Sequence, residues 1–221
     1  RATIPRPASV ASVARRVTEP AGSLGATGVV LAGGRSTRFG SDKLGAAYRG
    51  MPLLHHAVLR LVEVTHDVVV VLPPDAEPPA LPPGVPVRYV HDAVEGQGPL
   101  EGALSGLSSV RTEIAVLVGG DMPELSTAVV IEMLRVAAAS GADAVALQDG
   151  ERARPLPLVV RAEPAREVAH ALRHAGEHRL RSLQQGLRTA VIDEATWHAL
   201  DPNRGSLRDI DEPADIEHPS T

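Results

Sequence analysis

Apolar residues fall along this chain in short unbroken runs, separated by stretches with helical periodicity. Thr27–Leu31 (TGVVL), Val68–Leu72 (VVVVL) and Ile114–Val118 (IAVLV) are runs of the length and β-branched content expected of buried strands. Val87–Val90, Ala142–Leu147, Pro155–Val160 and Thr189–Ile192 are further strand or extended candidates. Between them, Pro52–Val64 places Leu53, Leu54, Ala57, Val58, Leu61 and Val62 on one helical face. Leu100–Val110 reads as a helix opened by Gly98-Pro99. Thr127–Ser140 reads as another, with Ser126 as its cap and Gly141 as its stop. Pro164 suits the first turn of a helix ending near Gly176. Seven prolines between Pro73 and Pro86 forbid a regular helix and predict a surface connection in its place.

Strands thus alternate with helices, and the strands are continuously apolar. That pattern predicts an α/β fold: a Rossmann-like, three-layer α/β/α arrangement around a mostly parallel sheet covered on both faces. We expect residues 1–26, rich in Pro, Ser, Ala and Arg, to form a flexible extension without a signal-peptide core, and residues 27–221 to form a single domain. In such sheets ligands bind beyond the carboxyl ends of the strands.

Composition narrows the function. The 221 residues carry a net charge of −5, which argues against a nucleic-acid partner. One Trp, two Tyr and one Phe leave little for base stacking. No run reaches the roughly 18 apolar residues of a membrane span. Cysteine is absent, so thiol nucleophiles and thiolate metal sites are excluded; a cytoplasmic location is the expectation. His170 and His174 stand four apart, but no third ligand at a recognisable spacing accompanies them, and the histidines read as surface residues.

The first strand runs into Leu31-Ala32-Gly33-Gly34-Arg35-Ser36-Thr37-Arg38-Phe39-Gly40-Ser41-Asp42-Lys43. Gly33 and Gly34 let the backbone turn sharply and bring N–H groups to a ligand. Arg35, Arg38 and Lys43 add three positive charges, with only Asp42 to offset them. A triphosphate is the natural partner, since backbone donors hold its oxygens and the cations neutralise charge on a leaving pyrophosphate. The loop matches neither the P-loop pattern nor G-x-G-x-x-G.

This segment resembles the signature of the molybdenum cofactor nucleotidyltransferases, in particular the guanylyltransferases, whose usual form is L-A-G-G-x-S-x-R-M-G-x-D-K. Phe39 stands in place of the Met. The likeness continues through His91-Asp92, Gly98-Pro99-Leu100-Glu101-Gly102, Asp121-Met122-Pro123, Asp149-Gly150-Glu151-Arg152 and Asp209-Ile210-Asp211-Glu212-Pro213-Ala214-Asp215-Ile216. The resemblance implies a nucleotide-diphospho-sugar-transferase-like fold. It implies that Leu31, Ala32, Gly33, Gly34, Arg35, Lys43, Asp92, Gly98, Pro99 and Asp121 contact the nucleotide, and that Asp92 accepts hydrogen bonds from guanine N1–H and its amino group. The sequence departs from the family at Leu72-Pro73, where an Asn is usual, and at Glu101, where a small residue is usual.

Asp121 follows a buried strand and two glycines, so it should emerge at the carboxyl edge. From position alone it is either a Mg²⁺ ligand or a turn cap before Pro123; the resemblance implies Mg²⁺. Asp209 and Asp211 alternate on an extended segment and so point the same way. Asp211 is the expected second ligand. The guanylyltransferases usually carry two Asn at these positions, whereas the cytidylyltransferase relatives often carry D-I-D. The implied reaction is attack by the phosphate of molybdenum-bearing molybdopterin on the α-phosphorus of GTP, with Arg38, Lys43 and Asp121 as the catalytic group. Arg152–Pro157 and Arg179–Arg181 are the expected cationic surface for the acceptor. A molybdoenzyme or chaperone could collect the product. Two alternatives stand beside this: a CTP-dependent or sugar-1-phosphate nucleotidyltransferase, and a non-catalytic nucleotide-binding regulatory module.

Overall fold

The computed structural model describes residues 25–33, 43–82, 84–92 and 98–217. Its first strand, β1, spans Ala26–Leu31. A two-residue pair, β2 (Ala47–Tyr48) and β3 (Met51–Pro52), leads into helix α1, Leu53–Val62. Then follow β4 (Asp67–Leu72), β5 (Val87–His91), α2 (Pro99–Ser108) and β6 (Ile114–Gly119). After these come α3 (Thr127–Ser140), β7 (Ala144–Asp149), β8 (Arg152–Arg161) and α4 (Ala162–His174). The chain closes with α5 (Leu180–Gly186), β9 (Thr189–Ile192), α6 (Glu194–Leu200), a 3-10 turn at Gly205–Leu207 and α7 (Pro213–Glu217).

The sheet has the order β5-β4-β1-β6-β8-β7-β9. Every pairing is parallel except those of β8, which runs antiparallel to both β6 and β7. The expected mostly parallel, three-layer arrangement is therefore present. The unbroken apolar runs conceal a period of two, because successive side chains point to opposite faces. Val68 and Val70 of β4 pack with Leu54, Ala57, Val58, Leu61 and Met133, from α1 and α3. Val69 and Val71 pack with Leu104, Leu107 and Ala165, from α2 and α4. Both faces are covered, so both sets must be apolar.

Glycine allows one close layer contact. A Cβ at Gly106 of α2 would run into Val29 Cγ1 and come within 3.0 Å of Val71 Cγ2. The Pro-rich connection carries no helix among its described residues. Instead its carbonyls accept from neighbouring side chains: Tyr89 Oη donates to Pro79 O at 2.9 Å, and Leu81 and Val85 pack against the core. At α3 the structure departs from the expected cap. Ser126 sits at the N-cap, but its hydroxyl makes no capping bond. Its N–H donates to Ser206 Oγ at 3.1 Å, so the residue fastens the C-terminal segment instead.

Glu124 makes a second tie to that segment. It accepts from Tyr48 Oη at 2.6 Å and pairs with Arg49 at 2.6 Å and Arg208 at 3.3 Å. The β2–β3 pair and the C-terminal segment are thereby held against the turn after β6.

Candidate active site

β1, β4 and β6 run parallel, so their carboxyl ends share one edge of the sheet, and the backbone joins them there. Ala32 N–H donates to Val71 O at 2.9 Å, and Gly120 N–H donates to Leu31 O at 3.0 Å. The turn after β6 presents Asp121. Its carboxylate folds back over Gly119 so closely that a Cβ at Gly119 would collide with Asp121 Oδ1. Glycine at 119 is therefore what lets the acid face inward.

Lys43, where the glycine loop ends, reaches this acid. Its Nζ donates to Asp121 Oδ2 at 2.8 Å and to Asp211 Oδ1 at 3.0 Å. The lysine side chain is 11% exposed, whereas Asp121 and Asp211 are 29% and 56% exposed. Burial works against the ammonium, but hydrogen bonding and charge from Asp121, then from Asp211, outweigh it. The Lys43 pKa therefore stands above its ordinary 10.5.

Asp211 arrives from the far end of the chain. Ile210 N–H donates to Asp121 O at 3.0 Å, and Ile210 is fully buried beside Tyr48 and Leu53. Asp215 accepts from the N–H groups of Asp211 and Glu212 at 2.9 and 2.8 Å, fixing the turn. Asp209 flanks Ile210 on the other side and pairs with Arg154 Nη2 at 3.8 Å. Burial raises the Asp209 carboxyl pKa. The charges of Asp211 and Asp121 add to this, against the pull of its own backbone N–H and of Arg154.

Asp92 lies just past β5, anchored by its N–H to Leu72 O at 2.9 Å. Its carboxylate fits between two glycines. A Cβ at Gly33 would lie 3.5 Å from Oδ2, and one at Gly102 would lie 3.6 Å from the same atom. Oδ1 is buried with no hydrogen-bond partner among the described residues. Burial raises the Asp92 pKa, partly relieved by a hydrogen bond from Ser105 and reinforced by the charge of Glu101. Glu101 is itself buried and pairs with Arg173 of α4 at 3.4 Å. That partner is how a carboxylate is tolerated at this buried position. Gly98, with φ +85°, packs on the His178 carbonyl, and Pro99 opens α2 beside it.

The structure thus brings together Lys43, Asp121 and Asp211 as one ionic group, with Leu31, Ala32, Gly33 and Asp92 along the same edge. Gly34, Arg35 and Arg38 lie outside the described residues. Of the expected acceptor cations, Arg154 reaches this edge. It pairs with Asp149 at 3.7 Å and with Asp209, and its Nε is buried without a partner among the described residues. Arg179 is instead held by Glu177 at 2.8 Å and is largely exposed. The sequence reading missed Gly119 and Ser105. The spacing of Ser105, four residues after Glu101 on one helix face, was the available signal for it.

Two carboxylates bridged by one cation are hard oxygen donors of the kind a divalent ion takes together with phosphate oxygens and water. The residues present fit such an ion. Among the described residues no group of three or more His, Cys, Asp or Glu is arranged to hold a metal by itself. No helix among them is long and apolar enough to cross a membrane.

Comparison with known proteins gives the family and the fold. The MobA-like NTP transferase domain family matches residues 28–191. A probable molybdenum cofactor guanylyltransferase of Natronomonas pharaonis is 32% identical over 197 residues, covering 86% of this chain and 95% of that protein. A molybdenum cofactor guanylyltransferase of Pseudomonas entomophila is 34% identical over 169 residues, covering 76% of this chain and 84% of its own length. Among solved structures, molybdopterin-guanine dinucleotide biosynthesis protein A of Archaeoglobus fulgidus has a TM-score of 0.70 at 18% identity, covering 87% of this chain and 95% of that one. The 2-C-methyl-D-erythritol 4-phosphate cytidylyltransferase of Thermus thermophilus has a TM-score of 0.62 at 18% identity, with coverages of 86% and 94%. At such identities these two structures speak for the fold alone.

Proposed function

Since this chain belongs to the MobA-like NTP transferase family, we propose that it transfers GMP from GTP to molybdenum-bearing molybdopterin, giving the guanine dinucleotide cofactor and pyrophosphate. The observation that carries the reading is the Lys43–Asp121–Asp211 group at the carboxyl edge of the sheet. It joins the glycine loop, the end of β6 and the C-terminal segment at one point of charge exchange.

An acceptor phosphate oxygen attacks the α-phosphorus of GTP. The α–β phosphoanhydride bond breaks, and its electron pair leaves on pyrophosphate. The nucleophile is already anionic near neutral pH, so no strong base is required, and catalysis comes from alignment and charge neutralisation. Backbone N–H groups at Gly33 and beyond hold phosphate oxygens, with Arg35 and Arg38 as further cations. Lys43 steadies the triphosphate. Asp92 accepts from guanine N1–H and N2–H through its free oxygen, and Gly98-Pro99 forms a wall of the base pocket. Arg154 draws the acceptor phosphate to the opposite side. Asp121 and Asp211 would hold Mg²⁺, which when bound supplies Lewis-acid neutralisation of the triphosphate.

The test is pyrophosphate release in the presence of Mg²⁺ and molybdopterin, with GTP or CTP as donor. Release with GTP in preference to CTP is expected; release with CTP alone refutes the guanine assignment. Lys43→Ala should weaken triphosphate binding and turnover together, and triphosphate binding without any turnover in the parent protein would leave a regulatory module.

A further inference from the structure

Lys43 has two acceptors on two separate elements, at distances that put its ammonium between them. We propose that Lys43 is an internal stand-in for the divalent cation: while no substrate is bound it holds Asp121 and Asp211 in register, and it yields that place to the metal when the triphosphate draws it away. The proposal rests on the reading of Asp121 and Asp211 as the metal-binding pair.

Three observations carry it. The first is space. An ammonium 2.8 and 3.0 Å from the two carboxylate oxygens fills the gap between them. Mg²⁺ needs its oxygens at about 2.0–2.1 Å, so ammonium and metal cannot share that gap. The second is charge. Two carboxylates facing one another with nothing between them repel, and Lys43 is the partner of both in the described ion pairs. Asp209, the nearby third acid, is turned to Arg154 instead.

The third is side-chain type. Lys43 is the only lysine in the sequence; the other cations among its 22 Lys and Arg are arginines. An ammonium is a compact point charge on a flexible stem, able to mimic a small ion and then swing off, whereas a guanidinium is a planar fork. The backbone at its base is fixed. Lys43 O accepts from Ala46 N–H at 3.2 Å, and Leu44 O accepts from Leu54 N–H at 3.2 Å. The stem is therefore the part free to move.

Without nucleotide, then, metal competes with Lys43 and binds weakly. With nucleotide, the lysine has a triphosphate to go to, and metal and nucleotide favour one another reciprocally. Lys43 serves here as a positioning residue for the carboxylates as well as a ligand of the phosphates.

The experiment measures Mn²⁺ binding by electron paramagnetic resonance, without nucleotide, to the full chain and to Lys43→Met. The variant should bind Mn²⁺ at least about tenfold more tightly, a change of roughly 1.4 kcal/mol, while binding GTP in EDTA more weakly. Opposite effects on the two ligands distinguish this role from general damage to the site. Equal or weaker Mn²⁺ binding by a folded variant overturns the proposal. Absence of Mn²⁺ binding by either protein, with or without GTP, overturns the metal-pair reading and the proposal with it. The unaltered protein gives an independent arm, because selective lysine labelling yields one side-chain NMR signal. That signal should shift when Mg²⁺ and GTP are added together; a signal that stays fixed at saturation overturns the proposal without recourse to any variant.

Discussion

Asp92→Asn should strengthen the free protein and weaken its selectivity. Asp92 Oδ1 is buried with no partner among the described residues, and burial holds the carboxyl above its ordinary 3.8. For an acid raised in the folded state, the folded chain binds more protons than the unfolded one between 3.8 and the raised pKa. Stability is thus greatest below 3.8 and falls as pH rises through that window. At neutral pH the full cost of the carboxylate is present, and Asn removes it. A buried polar group without its partner costs about 1–3 kcal/mol, and Asn recovers part of that, so a gain of about 1 kcal/mol is expected. For a chain of this size that is about 2–4 °C in Tm. The gain should shrink as pH approaches 3.8. With GTP the sign reverses. A hydrogen bond to a charged acceptor contributes about 1.5–3 kcal/mol, so kcat/KM for GTP should fall roughly 10- to 150-fold, with CTP scarcely affected. Melting curves without nucleotide and pyrophosphate release with each donor read the two effects. An unchanged GTP-to-CTP ratio, or a melting point lowered at pH 7, would refute the reasoning.

Further outcomes follow from the same geometry. Asp121→Asn keeps the shape but removes the charge that Lys43 and a metal share, so turnover should drop by roughly 100-fold or more, on the scale of losing one electrostatic stabiliser; near-normal single-turnover kinetics would remove Asp121 from the site. Arg154→Ala should raise KM for the acceptor while GTP binding, followed by calorimetry, stays within about twofold, since a lost phosphate contact acts on one substrate only. Gly106→Ala drives a methyl into Val29 and Val71 and should cost about 1–3 kcal/mol, seen as a lower denaturation midpoint with the m-value unchanged.

The parallel strands were legible because their apolar runs are continuous and clearly bounded, as at Val68–Leu72. The short pieces were not. α5 and α6 bury few residues, Leu180, Leu183 and Gln184 in one and Trp197 in the other, too few to impose a period on the sequence. The β2–β3 pair has two residues per strand, held by Glu124 from a distant turn. The site was legible wherever chemistry follows a strand end, as at Asp121. It was illegible where packing decides. Nothing local predicts that Glu101 will find Arg173, or that Ser126 will tie to Ser206 instead of capping its own helix. Those partners are separated by tens of residues, and only the packed layers choose them.

On the proposed reading, the reversal of β8 is what lets both substrates meet at one edge. In a wholly parallel sheet this edge would receive only strand carboxyl ends. β8 runs against its neighbours, so it is its beginning, Arg152-Ala153-Arg154, that arrives here beside the ends of β6 and β7. Were β8 parallel, Arg154 would take the place Val159 has now, five residues and roughly 15–20 Å away at about 3.3 Å per residue. The reversal therefore supplies a second cation at the edge where Lys43 stands, and the Asp209–Asp211 segment reaches both. Each of its acids takes a different neighbour, Arg154 for Asp209 and Lys43 for Asp211. Fully buried Ile210, bonded to the Asp121 carbonyl, sets the spacing between them. One backbone hydrogen bond thus holds the Lys43 and Arg154 pairs in register, and an insertion between Asp209 and Asp211 should uncouple them even with every charged residue retained.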